Sequence, residues 1–238
     1  MRNAQQRHCH SAFGITHSAL VIRHSALRIR HRLAFYDRVL ADGRAIPGVE
    51  RAAYGSLLPF LSQGNTAGFA IDGRAQPRTL AWDALYRVGT NDYLQTLGVQ
   101  LVAGRLIDER DGAGAPPVVV INETMARTYF PNESPLGHRL WLLSPQSPWR
   151  TIIGIVKDVH ERGYELAMKP GVYLPYAQSL DTWALPEYLV VRVHGDPIDV
   201  APAARRIIAR VDPLQPIAVE EIVRGLRARV RGGYQAHE

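Results

Sequence analysis

The chain has 238 residues, 46% of them hydrophobic and 21% charged, which gives a globular protein with room for a large core and excludes a disordered one. Its net charge of +6 is carried by the N-terminal segment, where Arg2, Arg7, Arg23, Arg28, Arg30 and Arg32 precede the first acid, Asp37. The rest is neutral and lacks the electrostatic pull on phosphate that a nucleic-acid binder needs. No window reaches the ~18 apolar residues of a membrane span. The single cysteine, Cys9, excludes an internal disulfide.

The N-terminal segment is repetitive. His10, His17, His24 and His31 recur every seven residues, within H-S-A-F-G-I-T, H-S-A-L-V-I-R and H-S-A-L-R-I-R. Such a tract fits a metal-binding His run, a basic amphipathic helix at a membrane surface, or an Arg-rich, acid-free transit peptide. It makes a poor secretory signal, because His and Arg interrupt each apolar run. The preferred reading is a translated tandem nucleotide repeat, which predicts a disordered tail over 1–32.

Leu33 to Ile46 has apolar residues at helical spacing and ends at Pro47-Gly48. Val49 to Leu57 reads as a strand. Leu61 to Ala67 is a polar loop, and Phe69 to Asp72 and Ala84 to Val88 are strands. Thr90 or Asn91 caps a short helix through Leu97, closed by Gly98. The stretch A-P-P-V-V-V-I-N-E-T-M-A-R-T-Y-F-P organises the chain. Val118 to Ile121 is a β-branched run that suits a strand buried on both faces. Asn122 is placed to accept the N–H of Thr124 or Met125, and Glu123 faces the positive end of the helix dipole. Pro131 stops that helix. Leu140 to Leu142 starts another strand. Trp149 to Val159, Gly171 to Tyr176 and Tyr188 to Val193 are further strands. Pro202 to Arg210 is a helix, Ile217 to Val219 a short strand, and Glu220 begins a last helix.

The ordered motifs carry a resemblance. V-V-V-I-N-E-T-M-A-R-T-Y-F-P, S-P-L-G-H-R-L, F-Y-D-R-V-L, N-D-Y-L, T-L-G-V, L-V-A-G-R and W-R-T-I-I-G-I-V-K-D-V together closely resemble the periplasmic core domain of MacB-like ABC transporter permeases, in the wider MacB/FtsX group. The resemblance implies a mixed α/β (α+β) fold: a porter-like α/β subdomain from the two ends and an inserted, strand-rich, sabre-like subdomain. The expected bounds are 33–225 for the domain, with 33–60 and 187–225 porter-like and 61–186 inserted, and a tail at 226–238. The family's first strand normally precedes the helix at Leu33, and a membrane helix precedes that strand. The repeat segment stands there instead, so the expectation is a copy truncated at both ends. The resemblance further implies a non-catalytic domain on the extracytoplasmic face of the membrane. Its partners would be an ABC ATPase and transmembrane permease segments, on other chains or missing from this one. A stand-alone soluble binding module is the alternative.

Each chemical motif has a plainer explanation. Gly112 and Gly114 could open a phosphate loop, but position 117 is Pro and the loop precedes a strand. Lys157 and Lys169 are the only lysines and neither follows Gly, so no P-loop exists. Asp158 and His160 would share one face of a continuing strand, and Glu161 is near. A metal-dependent enzyme using these three is a second alternative function, against a strand simply running out to solvent. Asp108, Glu109 and Asp111 could bind Ca²⁺ but lack alternating oxygen ligands, and Arg105 is placed to tie that loop. Asn122-Glu-Thr124 and Asn132-Glu-Ser134 are sequons by pattern alone. Trp82, Trp141, Trp149 and Trp183 suit packing better than ligand stacking. No catalytic, metal-binding or cofactor-binding residue is assigned, and no cofactor is expected.

Overall fold

The computed structural model describes residues 18–24, 32–59, 64–75, 82–163, 165–179, 184–213 and 217–222; for 18–24, 32 and 217–222 it gives the backbone alone. In chain order the elements are β1 (Ser18–His24), α1 (Arg32–Arg44), β2 (Val49–Gly55), β3 (Thr66–Ile71), β4 (Asp83–Gly89), α2 (Tyr93–Leu97), β5 (Leu101–Gly104), β6 (Val118–Asn122), α3 (Glu123–Tyr129), β7 (Arg139–Leu142), β8 (Arg150–Val156), β9 (Gly171–Pro175), β10 (Tyr188–Val193), α4 (Pro197–Val211) and β11 (Ile217–Ile222).

Strands from the two ends of the chain pair in the order β11-β1-β10-β2, antiparallel throughout. Helices α1 and α4 pack on each other, α1 against β2 and α4 against β1. The α1 residues Phe35, Tyr36, Val39 and Leu40 are buried, at the i, i+1, i+4, i+5 spacing of one helical stripe. The middle strands pair differently. They run β4-β3-β7-β8-β6-β9, and β9 returns to β4 in parallel, so six strands form a closed circuit. Closure removes free edges, apart from β5, which is appended to β8. Phe69, Ile71, Tyr86, Val88, Val119, Ile121, Leu140, Ile152, Val172 and Leu174 share the larger core cluster. Their strand neighbours Val120 and Tyr173 belong to a second cluster with Tyr93 and Leu94 of α2, as the two-residue period of a strand requires.

Several expectations are corrected. Ser18–His24, inside the stretch expected to be a disordered tail, is β1, so the strand expected to be missing is present. Its Leu20-Val21-Ile22 run is paired on both sides, by β10 and β11. Arg23 and His24 complete the strand, with the register against β11 shifting between Ile22 and Arg23. The remainder of 1–31 lies outside the described residues, as do Trp183 and the tail at 226–238. Helix α4 starts at Pro197, five residues before Pro202, because Asp196 accepts the N–H of Ile198 at 3.1 Å and Pro197 occupies the first turn. β11 continues to Ile222, where a helix was expected from Glu220, since A-V-E-E-I pairs along β1. The N-cap of α2 is Asp92, whose side chain caps nothing and meets Arg44 at 2.8 Å; Gly98, at φ +77°, closes the helix as expected.

Candidate functional site

The organising stretch folds as read. β6 is buried along its whole length. Asn122 Oδ1 accepts the N–H of Met125 at 2.9 Å, capping α3. The same oxygen accepts the N–H of Gly171 at 2.9 Å, and Nδ2 donates to the Lys169 carbonyl at 3.0 Å. One buried amide therefore ties α3 to the start of β9. That burial also leaves the Asn122 sequon inaccessible, whereas Asn132 is exposed.

Asp158, His160 and Glu161 do not converge. β8 ends at Val156, so the shared strand face they needed does not exist. Asp158 turns to α3, accepting from the Thr124 N–H at 2.8 Å and its hydroxyl at 2.9 Å, and pairing with Arg127 at 2.8 Å. Glu161 turns inward to Arg87. Among the described residues no group of three or more His, Cys, Asp or Glu is placed to hold a metal. In the acidic turn, Arg105 grips Asp111 with two bonds, at 2.7 and 2.8 Å, while Asp108 pairs with Arg110 at 2.7 Å. The Arg110 guanidinium beside Asp108 holds that carboxyl well below the usual range. These carboxylates serve arginines. Gly112, from the glycine loop, gives its carbonyl to Gln178 Nε2 at 3.3 Å. Trp82 packs on Phe69 and Tyr129, as core packing requires, and Trp149 is half-exposed near Arg139.

Two features were not legible as sites. The first is a buried ion pair. Arg87, in the middle of β4, is fully buried and donates Nε to Glu161 Oε2 at 2.6 Å. Its Nη1 donates to the carbonyls of Asn65 and Tyr86, and Tyr173 Oη donates to Glu161 Oε1 at 3.2 Å. Nη2 finds no partner among the described residues. Burial, with the Glu161 charge adding to it, pushes the Tyr173 phenol well up. A lone arginine inside A-L-Y-R-V-G was the available signal, since a strand interior takes a charge only with a partner.

The second is the seam between the four end strands and the closed circuit. The two sets share one bridge, Gly55 with Gly89. Four hydrogen bonds from backbone N–H groups flank it. Two are ordinary ladder bonds, Ser56 N–H to the Val88 carbonyl at 2.8 Å and Thr90 N–H to the Tyr54 carbonyl at 2.9 Å. The other two end on hydroxyls: Val88 N–H reaches Ser56 Oγ at 3.0 Å, and Tyr54 N–H reaches Thr90 Oγ1 at 2.9 Å. The Tyr93 ring lies across both glycines. A Cβ at Gly89 would sit 2.7 Å from Tyr93 Cβ, and one at Gly55 would collide with Tyr93 Cε2. The Tyr93 hydroxyl donates to the Leu57 carbonyl. On the α1 side of the sheet, Tyr36 meets Tyr54 and Tyr176 at ring centroid distances of 4.5 and 4.9 Å. Its hydroxyl donates to the Pro186 carbonyl at 2.5 Å.

Residues 15–223 match the MacB-like periplasmic core domain family. The chain belongs to this family. A MacB-like domain is a component of ABC-type transporter permeases and lies, in the family, on the periplasmic side. The macrolide export ATP-binding/permease protein MacB of Aggregatibacter actinomycetemcomitans is 34% identical over 101 residues, 41% of this chain. That match spans 14% of the relative's length. Among solved structures, the periplasmic region of MacB from Actinobacillus actinomycetemcomitans superposes with a TM-score of 0.61 at 13% identity, covering 94% of this chain and 97% of that one. The extracellular domain of the noncanonic ABC-type transporter YknZ from Gram-positive bacteria gives 0.56 at 13% identity, covering 84% and 100%. At such identities these structures speak for the mixed α/β fold. No helix among the described residues is long and apolar enough to cross a membrane.

Proposed function

We propose that this MacB-like domain is the non-catalytic, extracytoplasmic part of an ABC-type permease. It relays ATP-driven motion of transmembrane segments to a substrate or partner during export. The ATPase and the membrane segments are its partners. The observation that carries this reading is the pairing of the first and last strands. β1 and β11 are antiparallel neighbours with Leu20 opposite Ile222, so the start of one lies beside the end of the other. A domain whose two connections leave side by side is suited to insertion between two moving membrane segments.

We also infer the two-part division. The porter-like part combines β1 with 33–60 and 187–225, and the sabre-like insertion occupies 61–186. The pairing of the four end strands apart from the six-strand circuit, and the return of the chain at β10, support it. The test is a chimera in which residues 15–223 replace the corresponding domain of a MacB-type permease. ATP-dependent export above the level of an ATPase-dead control is the expected result. A chimera that assembles in the membrane and hydrolyses ATP but does not export would overturn the proposal.

A further inference from the structure

A relay must be stiff where its parts join, and the seam has the build of a stiff joint. Gly55 and Gly89 form the non-hydrogen-bonded position of an antiparallel pair, where facing side chains come closest. Both residues are glycine, and the space two Cβ atoms would take is filled by the Tyr93 ring. Tyr93 lies on α2, which packs against β2 and β10 of the end-derived sheet. In the second core cluster it joins Ala53 and Val190 of that sheet, and Val120 and Tyr173 of the closed circuit. Arg192 Nε of β10 donates to the Thr96 carbonyl at 3.2 Å, and Arg44 at the end of α1 pairs with Asp92 at 2.8 Å, so α2 is pinned further from the sheet and from the helix packed on it.

The backbone at the seam is less constraining than a full ladder. Two of its four flanking N–H donors end on the hydroxyls of Ser56 and Thr90, whose oxygens swing with χ1, while a carbonyl is fixed by its peptide plane. Side-chain packing therefore has to supply the rigidity that the ladder does not.

We propose that Tyr93 is the wedge that locks the Gly55–Gly89 joint, so that the two parts move as one body. This rests on the relay reading and deepens it. Tyr93→Ala leaves the flanking hydrogen bonds and the Tyr36 contacts on the opposite face as the restraints at the bridge, and the parts then sample a wider range of mutual orientations. Tyr93→Phe keeps the ring over both glycines and loses only the bond to the Leu57 carbonyl.

The experiment is pulsed dipolar spectroscopy on the full chain in a Cys9→Ser background. Spin labels go on exposed positions Thr128 of α3 and Ala209 of α4. The expected result is one narrow distance distribution for the parent and for Tyr93→Phe, and at least a twofold broader one for Tyr93→Ala. Should Tyr93→Ala fail to fold by circular dichroism, Tyr93→Leu, which keeps apolar bulk without the ring, takes its place with the same expected broadening. A folded Ala or Leu variant with the parent's width overturns the wedge, as does a broad parent. The result is separable from the relay reading. A locked joint in a chimera that does not export leaves the wedge standing and removes the relay. Export with an unchanged width in the variant does the reverse.

Discussion

Among the described residues, Glu161→Gln removes the only carboxylate that touches Arg87, and the guanidinium has nowhere to go. Arg87 is fully buried, Glu161 is 4% exposed, and their contact is 2.6 Å. Taking one partner from a buried pair leaves an uncompensated charge, which costs about 3–5 kcal/mol. Gln keeps an acceptor for the Tyr173 hydroxyl, so the loss is dominated by the charge. Against a typical total stability of ~5–15 kcal/mol, that is a large share. For a domain of this size it lowers Tm by on the order of 10 °C. Combining Arg87→Met with Glu161→Gln removes the stranded charge and leaves neutral groups, among them the carbonyls of Asn65 and Tyr86 that Arg87 served. The double variant should regain about 2 kcal/mol over Glu161→Gln alone, because buried pairs replaced by neutral residues are often near neutral. Urea unfolding followed by tryptophan fluorescence and circular dichroism reads both differences. A Glu161→Gln loss below about 1 kcal/mol, or a double variant no more stable than the single, would refute the reasoning.

Four further outcomes are expected. Phe130→Ala should cost about 3–5 kcal/mol in urea unfolding, since Phe130 is buried at the end of α3 under the Arg74 guanidinium, 4.4 Å from the ring centroid; a loss under about 1 kcal/mol contradicts its place in the core. Asn122→Ala should cost about 2–3 kcal/mol, because it strands the N–H groups of Met125 and Gly171 and the Lys169 carbonyl; unchanged stability would mean the tie is not formed. Leu143, exposed at φ +74°, is the centre of a γ-turn in which Ser144 N–H reaches the Leu142 carbonyl at 2.9 Å, so Leu143→Gly should be neutral or stabilising by up to about 1 kcal/mol in the same assay. Burial raises the phenols of Tyr54, Tyr93 and Tyr173 above their ordinary value. The stability tied to these neutral phenols is fully present below the unfolded pKa of about 10 and is lost as pH rises beyond it; phenolate absorbance of the three should appear only together with loss of the circular dichroism signal, and earlier ionisation would show them exposed.

How much was legible follows from how local each signal is. β6 and the Asn122 cap were readable because a β-branched run and a capping residue act over a few neighbouring positions. β10 was read to its ends because its valine run lies between Pro186 and the turn residues Gly195-Asp196-Pro197, all within a few positions. The metal set failed on one assumption, that the strand at Trp149 continued past Val156; once it ends, Asp158 and Glu161 point to different partners. β1 was hidden because its repeat setting looked like a sequence under no structural constraint. The closed circuit was beyond reach, since its closing pair joins Leu85 to Gly171 through a parallel ladder that no short motif announces. Arg87 was visible as an oddity, but its partner lies 74 residues away.

The relay itself is tested most directly by watching this domain while ATP is hydrolysed beneath it. The assembled chimera, reconstituted in lipid vesicles and carrying a fluorophore at Thr128→Cys, is read by energy transfer to an acceptor on the lipid surface. The account predicts a change in transfer that follows each nucleotide state and vanishes with an ATPase-dead partner. Constant transfer in a chimera that hydrolyses ATP and exports would contradict it.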